Sequence, residues 1–215
     1  MTVTFYFVRH GETYLNRYER MQGWSNAPLT KEGQQGCVAS GRGLSHIHFD
    51  AVYTSDLKRT RDTAELMLSQ NSSHQKPTII EKEEFREIFF GSFEGLEVEK
   101  VWPKILKQAN ATLVDSKRIL NTLHDMDEHH DAENYMMFWS RVEKGMLDLL
   151  KTHKNTNQHV LVVSHGMTIR MMLEAIIPNF MFDGHLLNAS VSKVRYENGQ
   201  FYLDYINRTD HFVWE

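Results

Sequence analysis

From Val3 to Val8 the chain is rich in β-branched and aromatic residues, and it then turns polar at Arg9-His10-Gly11. This pattern predicts a strand whose carboxyl end delivers Arg9 and His10 into a loop. His159 to Val163 is a short, almost unbroken apolar run, as expected of a strand buried on both faces of a parallel sheet. Ala51 to Tyr53 and Pro77 to Glu81 predict two further strands. Thr30 has the character of a helix N-cap, with Gly33 at the third following position and a helix running to about Leu44. Gly36, Gly41 and Gly43 lower helix propensity there and predict close packing instead. Ser55 or Asp56 is expected to cap a helix continuing through about Leu68, and Gly166 to open one through about Ile176. Val191 to Tyr196 and Phe201 to Ile206, joined by Glu197-Asn198-Gly199-Gln200, carry a hairpin signature. Repeated strand, loop and helix units predict an α/β fold with a mostly parallel sheet. A mostly helical insertion is expected at about 96–157. Within it Tyr135, Phe138, Val142, Met146 and Leu149 form an apolar stripe read as packing surface.

Composition narrows the setting. The 215 residues suit a single domain carrying that insertion, and 41% apolar with 24% charged residues is ordinary for a compact globular protein. The single cysteine, Cys37, cannot form an internal disulfide or supply a cysteine-rich zinc site, and is expected as a partly buried small residue on a helix. The first apolar stretch lacks a basic leader and is too short for a signal segment, so a cytoplasmic location is expected. A net charge of −4 gives no general attraction to nucleic acid or anionic membrane, so any anion site must be a local cationic patch. Neither partner is expected, and the pattern is compatible with a monomer or a homodimer.

In a parallel sheet ligands collect beyond the carboxyl ends of the strands, and three chemically loaded segments fall there. Arg9-His10-Gly11 offers a guanidinium, an imidazole nucleophile and a glycine that lets backbone approach a ligand. Arg59 follows the second strand, and Ser164-His165-Gly166 follows the last buried one. Each is ordinary alone; a shared sheet edge makes them one crevice.

Arg9-His10-Gly11-Glu12-Thr13, Ser55-x-Leu57-x-Arg59, Glu87 ahead of Gly91-x-Phe93-Glu94-Gly95, and Ser164-His165-Gly166 together resemble the histidine phosphatase superfamily in its phosphoglycerate-mutase-like branch. Gln22-Gly23 followed by Pro28-Leu29-Thr30-x-x-Gly33 extends the likeness. The resemblance implies a three-layer α/β sandwich, a mostly parallel central sheet of the mixed six-stranded type flanked by helices, with a helical cap, and a metal-independent phosphatase acting on phosphate monoesters through a phosphohistidine on His10. A phosphoryl group in flight needs preorganised cationic donors, which Arg9, Arg59 and His165 are expected to supply. The leaving alkoxide needs a proton. Chemistry alone leaves Glu81, Glu83, Glu84, Glu87 and Glu94 open, and the Glu-x-x-x-Gly-x-aromatic-Glu-Gly pattern selects Glu87. Asn16 is expected to donate to a phosphate oxygen, Gln22 and Gly23 to line the substrate entrance, and Gly166 to flank the phosphate. The expected partner is a small phosphorylated substrate, with no cofactor. His124, Asp125, Asp127, Glu128, His129, His130 and Asp131 match no standard ligand spacing, and a polar run before an apolar helical stripe reads as a loop and N-cap, so no metal is expected. Two rivals stand beside the phosphatase: a cofactor-dependent phosphoglycerate mutase and a non-catalytic phospho-ligand binder. A binder has no use for a nucleophile and a proton donor.

Overall fold

The computed structural model describes residues 1–72, 76–112 and 114–214. Strands β1 (Val3–Arg9), β2 (Ala51–Thr54), β3 (Ile79–Glu81), β4 (His159–Ser164), β5 (Val191–Glu197) and β6 (Gln200–Arg208) form one sheet in the order β3-β2-β4-β1-β5-β6. β3, β2, β4 and β1 run parallel, and β5 and β6 close the far edge antiparallel. The mostly parallel sheet thus stands as expected. The hairpin turns on Asn198-Gly199, both at positive φ (52° and 84°), the conformation that a two-residue turn between twisted strands requires.

Among the described residues seven α-helices accompany the strands: α1 (Tyr14–Arg17), α2 (Lys31–Gly43), α3 (Lys58–Ser69), α4 (Val98–Ala109), α5 (Ser116–Met126), α6 (Tyr135–His153) and α7 (Gly166–Ile176). Side-chain alternation along β1 and β4 sorts the core into two layers. Phe5, Phe7, Val160 and Val162 face Phe138, Val142 and Ile169, whereas Tyr6, Val8, Leu161 and Val163 face Cys37, Ala64 and Met67. Fully burying one such side chain is worth roughly 1.5–3 kcal/mol, so both sheet faces are anchored. The α6 stripe packs as expected, with Phe138, Val142, Met146 and Leu149 buried and Tyr135 partly so.

Two local expectations need correction. Helix α3 begins after Leu57 and has no side-chain cap, because the hydroxyl of Ser55 is engaged with His165 and Thr60. His124 and Asp125 lie on α5 rather than in a loop. The buried carboxylate of Asp127 accepts from the backbone of Ser92, Asp131 and Ala132 (3.1, 2.8 and 2.8 Å), so it braces the chain between α5 and α6. Thr30 caps α2 as expected, its hydroxyl accepting from Gly33 N–H at 2.9 Å. A Cβ on Gly33 would stand 2.2 Å from the Glu12 carbonyl oxygen, so glycine there lets the helix press on the loop that follows His10. Among the described residues no helix is long and apolar enough to cross a membrane.

Candidate active site

Arg9 and Ser164 are direct partners across the parallel β1–β4 pair, so the residues after them, His10 and His165, leave the sheet side by side. Their ring centroids are 5.2 Å apart, and His10 N–H donates to the Ser164 carbonyl at 3.0 Å. His10 is 3% exposed. Its Nδ1 lies 2.8 Å from the Gly11 carbonyl oxygen. A carbonyl can only accept, so Nδ1 carries the proton and the lone pair is on Nε2. Burial, then the charges of Arg59 and Arg9, hold the imidazole well below its usual pKa, and the ring is neutral at ordinary pH.

His165 departs from expectation in its charge. Its Nδ1 is 3.0 Å from Nη2 of Arg59 and its Nε2 is 2.8 Å from the Ser55 hydroxyl. A guanidinium cannot accept, so Nδ1 is the acceptor and Nε2–H points at Ser55. Burial, then the charge of Arg59, push the His165 pKa well below normal. His165 is therefore a neutral relay between Arg59 and Ser55, not the third cation that the sequence suggests.

Arg59 is 1% exposed. Burial pushes its pKa down to about 10, which still leaves it cationic. It donates to the carbonyls of Ser25 (3.0 Å) and Gly23 (2.5 Å) as well as to His165. Gly23 accordingly sits behind the site, not on the cavity wall. Its N–H donates to Glu94 at 3.2 Å, and a Cβ there would stand 2.1 Å from the Ile88 carbonyl oxygen. Glu94 also accepts from Trp24, Ser25 and Phe90 N–H (2.9, 3.2 and 3.2 Å), fastening the loop that holds Arg59.

A cavity of about 120 Å³ opens beside His10 and brings Arg9, Asn16, Gln22, Glu87 and Gly166 together on its wall. Arg9 donates to the Leu186 carbonyl, while its buried Nε has no partner. Gly166 leaves that face uncrowded, since a Cβ there would lie 3.4 Å from Arg9 Nε. Asn16 Oδ1 accepts from Thr13 N–H and Asn188 Nδ2, each at 3.2 Å, and Asn16 Nδ2 points at Gln22 Oε1 at 3.4 Å. Asn188 in turn holds the His10 carbonyl at 2.9 Å.

Glu87 is buried against the amino end of α7. Oε1 accepts from Ile88 N–H (3.1 Å), Thr168 N–H (3.0 Å) and Thr168 O–H (2.9 Å), and Oε2 accepts from Met167 N–H at 3.0 Å. The first-turn amides thus fix the carboxyl in place. From outside, Arg141 on α6 donates to the carbonyls of Glu84, Arg86 and Glu87 (3.1, 2.8 and 2.9 Å) and forks onto Glu133 at 2.7 and 2.6 Å. Glu133 is thereby committed to Arg141 and to Phe89 N–H, and is absent from the cavity wall. Sequence reasoning missed Arg141, Asn188, Arg170 and His185. For the arginines the available signal was a lone cation interrupting an apolar helix face, at Arg141 between Phe138 and Val142 and at Arg170 between Ile169 and Met171. Among the described residues no group of three His, Cys, Asp or Glu side chains is arranged to hold a metal.

Comparison with known proteins follows the same geometry. The pattern of the histidine phosphatase superfamily (branch 1) matches residues 5–209. A metal-independent phosphoserine phosphatase of Arabidopsis thaliana is 30% identical over 95% of this chain and 81% of its own length. A fructose-2,6-bisphosphatase TIGAR B of Danio rerio is 38% identical over 82% of this chain and 76% of its own. The crystal structure of a phosphoglycerate mutase from Bacillus anthracis superposes with a TM-score of 0.89 at 31% identity, covering 98% of this chain and 95% of that one. With a paired histidine edge, a buried arginine behind it and a match along nearly its whole length, the chain belongs to the histidine phosphatase superfamily, branch 1.

Proposed function

We propose that the protein hydrolyses phosphate monoesters of small molecules through a phosphohistidine on His10. The observation that carries this reading is the tautomer of His10. Gly11 pins the proton on Nδ1, and burial beside two guanidiniums keeps Nε2 unprotonated, so a nucleophilic lone pair is present at neutral pH. Arg9 on the cavity wall would hold the phosphoryl oxygens, with Asn16, Gln22 and Gly166 on the same wall, while Arg59, off that wall and committed to Ser25, Gly23 and His165, adds its charge from behind.

The chemistry balances in two steps. A phosphate monoester ionises a second time near neutrality, at a pKa of about 6, so its monoanion brings a proton that Glu87 Oε2 can take. Nε2 attacks phosphorus, the N–P bond forms and the P–O bond to the alcohol breaks. Glu87 passes its proton to the leaving alkoxide. Water then enters, gives a proton to Glu87 and attacks phosphorus, the N–P bond breaks, and Glu87 returns that proton to the phosphate, which leaves as its monoanion. His10 and Glu87 are restored.

The test is His10→Ala. Turnover is expected to vanish while the protein stays folded, and an alkaline quench of the wild type during turnover should trap phosphate on His10, since phosphohistidine is destroyed by acid. Wild-type-like turnover by the alanine variant would sink the assignment. A second reading, phosphoglycerate mutase, is favoured by the name of the B. anthracis structure. Against it, the mutases of Chlamydia trachomatis match over only 35% of this chain, at 34% identity, and Ile88-Phe89-Phe90 after Glu87 offers no side-chain donor to a substrate carboxylate.

A further inference from the structure

Next to the His10 cavity lies a second one of about 230 Å³, and both are bordered by Arg9, Glu87, Met167, Arg170 and His185. They form one path, with phosphate chemistry at its inner end and room for the alcohol beyond. The outer wall is divided by chemistry: Met21, Phe90, Val98 and Trp102 on the apolar side, Arg20 and Arg170 on the cationic side.

The two cations differ in what already holds them. Arg20 donates to the Gly95 carbonyl at 3.2 Å and pairs with Glu97 at 3.5 Å. Arg170 is 4% exposed, and its Nε and Nη2 have no hydrogen-bond partner. Its nearest carboxylate, Glu174, lies 3.8 Å from Nε, close enough to balance charge but too far to accept a hydrogen bond. Arg141 is the internal contrast, since its donors reach three carbonyls and a carboxylate. A guanidinium that only filled space in α7 could be replaced by methionine without leaving buried donors unmet. Helical spacing places Arg170 one turn beyond Gly166, on the face that meets the phosphate path. His185 stands beside it, held neutral by burial and then by the charges of Arg170 and Arg9, so it does not compete as a second cation.

We propose that Arg170 is a specificity-determining residue that binds a second anionic group, carboxylate or phosphate, on the alcohol portion of the substrate, whose body lies along Phe90 and Trp102. This rests on the phosphatase reading and names its substrate class: phosphomonoesters that carry another negative charge.

The test uses binding, so that it does not depend on turnover. Propylphosphonate, 3-phosphonopropionate and propane-1,3-bisphosphonate, with their two- and four-carbon homologues, are titrated calorimetrically into wild type, Arg170→Met and Arg170→Lys. At least one doubly anionic ligand should bind wild type about 10-fold or more tighter than the alkylphosphonate of matching length, the worth of one charge-assisted hydrogen bond. That ratio should collapse toward one in Arg170→Met and be partly kept in Arg170→Lys. The carboxylate and bisphosphonate arms decide which anion is preferred. Equal affinities in wild type at every length, or a ratio that survives Arg170→Met, would overturn the proposal. Should the methionine variant fail to fold, the wild-type ratio and its change in Arg170→Lys still decide. Failure of the phosphatase reading looks different: no ester is hydrolysed, whatever the phosphonates do.

Discussion

At His10 the decisive quantity is where the proton sits. Burial and two neighbouring guanidiniums lower its folded pKa well below the unfolded value, so as pH falls the unfolded imidazole protonates first and the folded one stays neutral. The nucleophile should therefore persist into mildly acid solution. Nitrogen NMR titration, with the His10 signals assigned by difference from His10→Gln, should find the ring neutral at pH 6. An ordinary transition near 6.5 would remove the physical basis for the nucleophile. Glu87 carries a separate prediction. An amide in its place cannot deliver a proton and turns a donor toward the Met167 or Thr168 amide. Glu87→Gln should slow alkyl phosphates by a further ~10²-fold or more relative to aryl phosphates, because a phenolate leaves without protonation and an alkoxide does not. Equal losses across a leaving-group series would count against Glu87 as the acid, and the lifetime of the phosphoenzyme would then show whether it serves only as the base for water.

While α7 holds the carboxyl of Glu87, its backbone is held by α6, through Arg141. Removing that side chain strands the buried Glu133 carboxylate and frees three carbonyls, so Arg141→Met should destabilise the fold by about 3–5 kcal/mol and lower turnover as well. Chemical denaturation checks the first effect. Adding Glu133→Gln should restore part of the loss, because the uncompensated charge is gone; strict additivity of the two substitutions would mean that the pair is not coupled. This brace also marks the boundary of what the sequence could tell. The β1 and β4 strand ends were legible because period, turn residues and parallel pairing are local, and together they place His10 beside His165. Asn198-Gly199 was legible for the same reason. Ser55 was misread as a helix cap because the partner competing for its hydroxyl, His165, lies 110 positions away. His165 was misread as a cation because its protonation is decided by burial and then by Arg59, and Gly23 as cavity lining because its carbonyl faces Arg59 and not the path. Arg141 and Arg170 show in the sequence only as lone cations on apolar helix faces, which does not reveal what they contact, and Asn188 has no local signal of that kind.

For the molecule as a whole, the open question is what happens to the phosphoryl group after it reaches His10. A mutase must hold a bisphosphorylated intermediate, let it reorient and keep water from the phosphohistidine, whereas a phosphatase releases the alcohol and admits water. The cavity of about 120 Å³ at His10 adjoins one of about 230 Å³, and the apolar side of the latter offers nothing to grip a small polar acid. Phe89 packs against Trp24 with ring centroids 5.0 Å apart, and Phe90 meets Trp102 at 6.4 Å, so the residues after Glu87 are committed to packing. Arg170 provides one anion contact, enough to orient an anionic alcohol; retaining and turning a bisphosphorylated acid calls for several. The expectation is that 3-phosphoglycerate supplied with 2,3-bisphosphoglycerate releases inorganic phosphate at least about as fast as it gives 2-phosphoglycerate, the two products being followed together. Under a partition between water and bound acid, a tenfold bias either way corresponds to only about 1.4 kcal/mol between the competing transition states. The comparison must therefore be made on one enzyme preparation at matched concentrations. Isomerisation more than about 10-fold faster than phosphate release, equivalent to that same energy difference, would mean that the apolar wall excludes water rather than admitting it, and that the mutase reading is the right one.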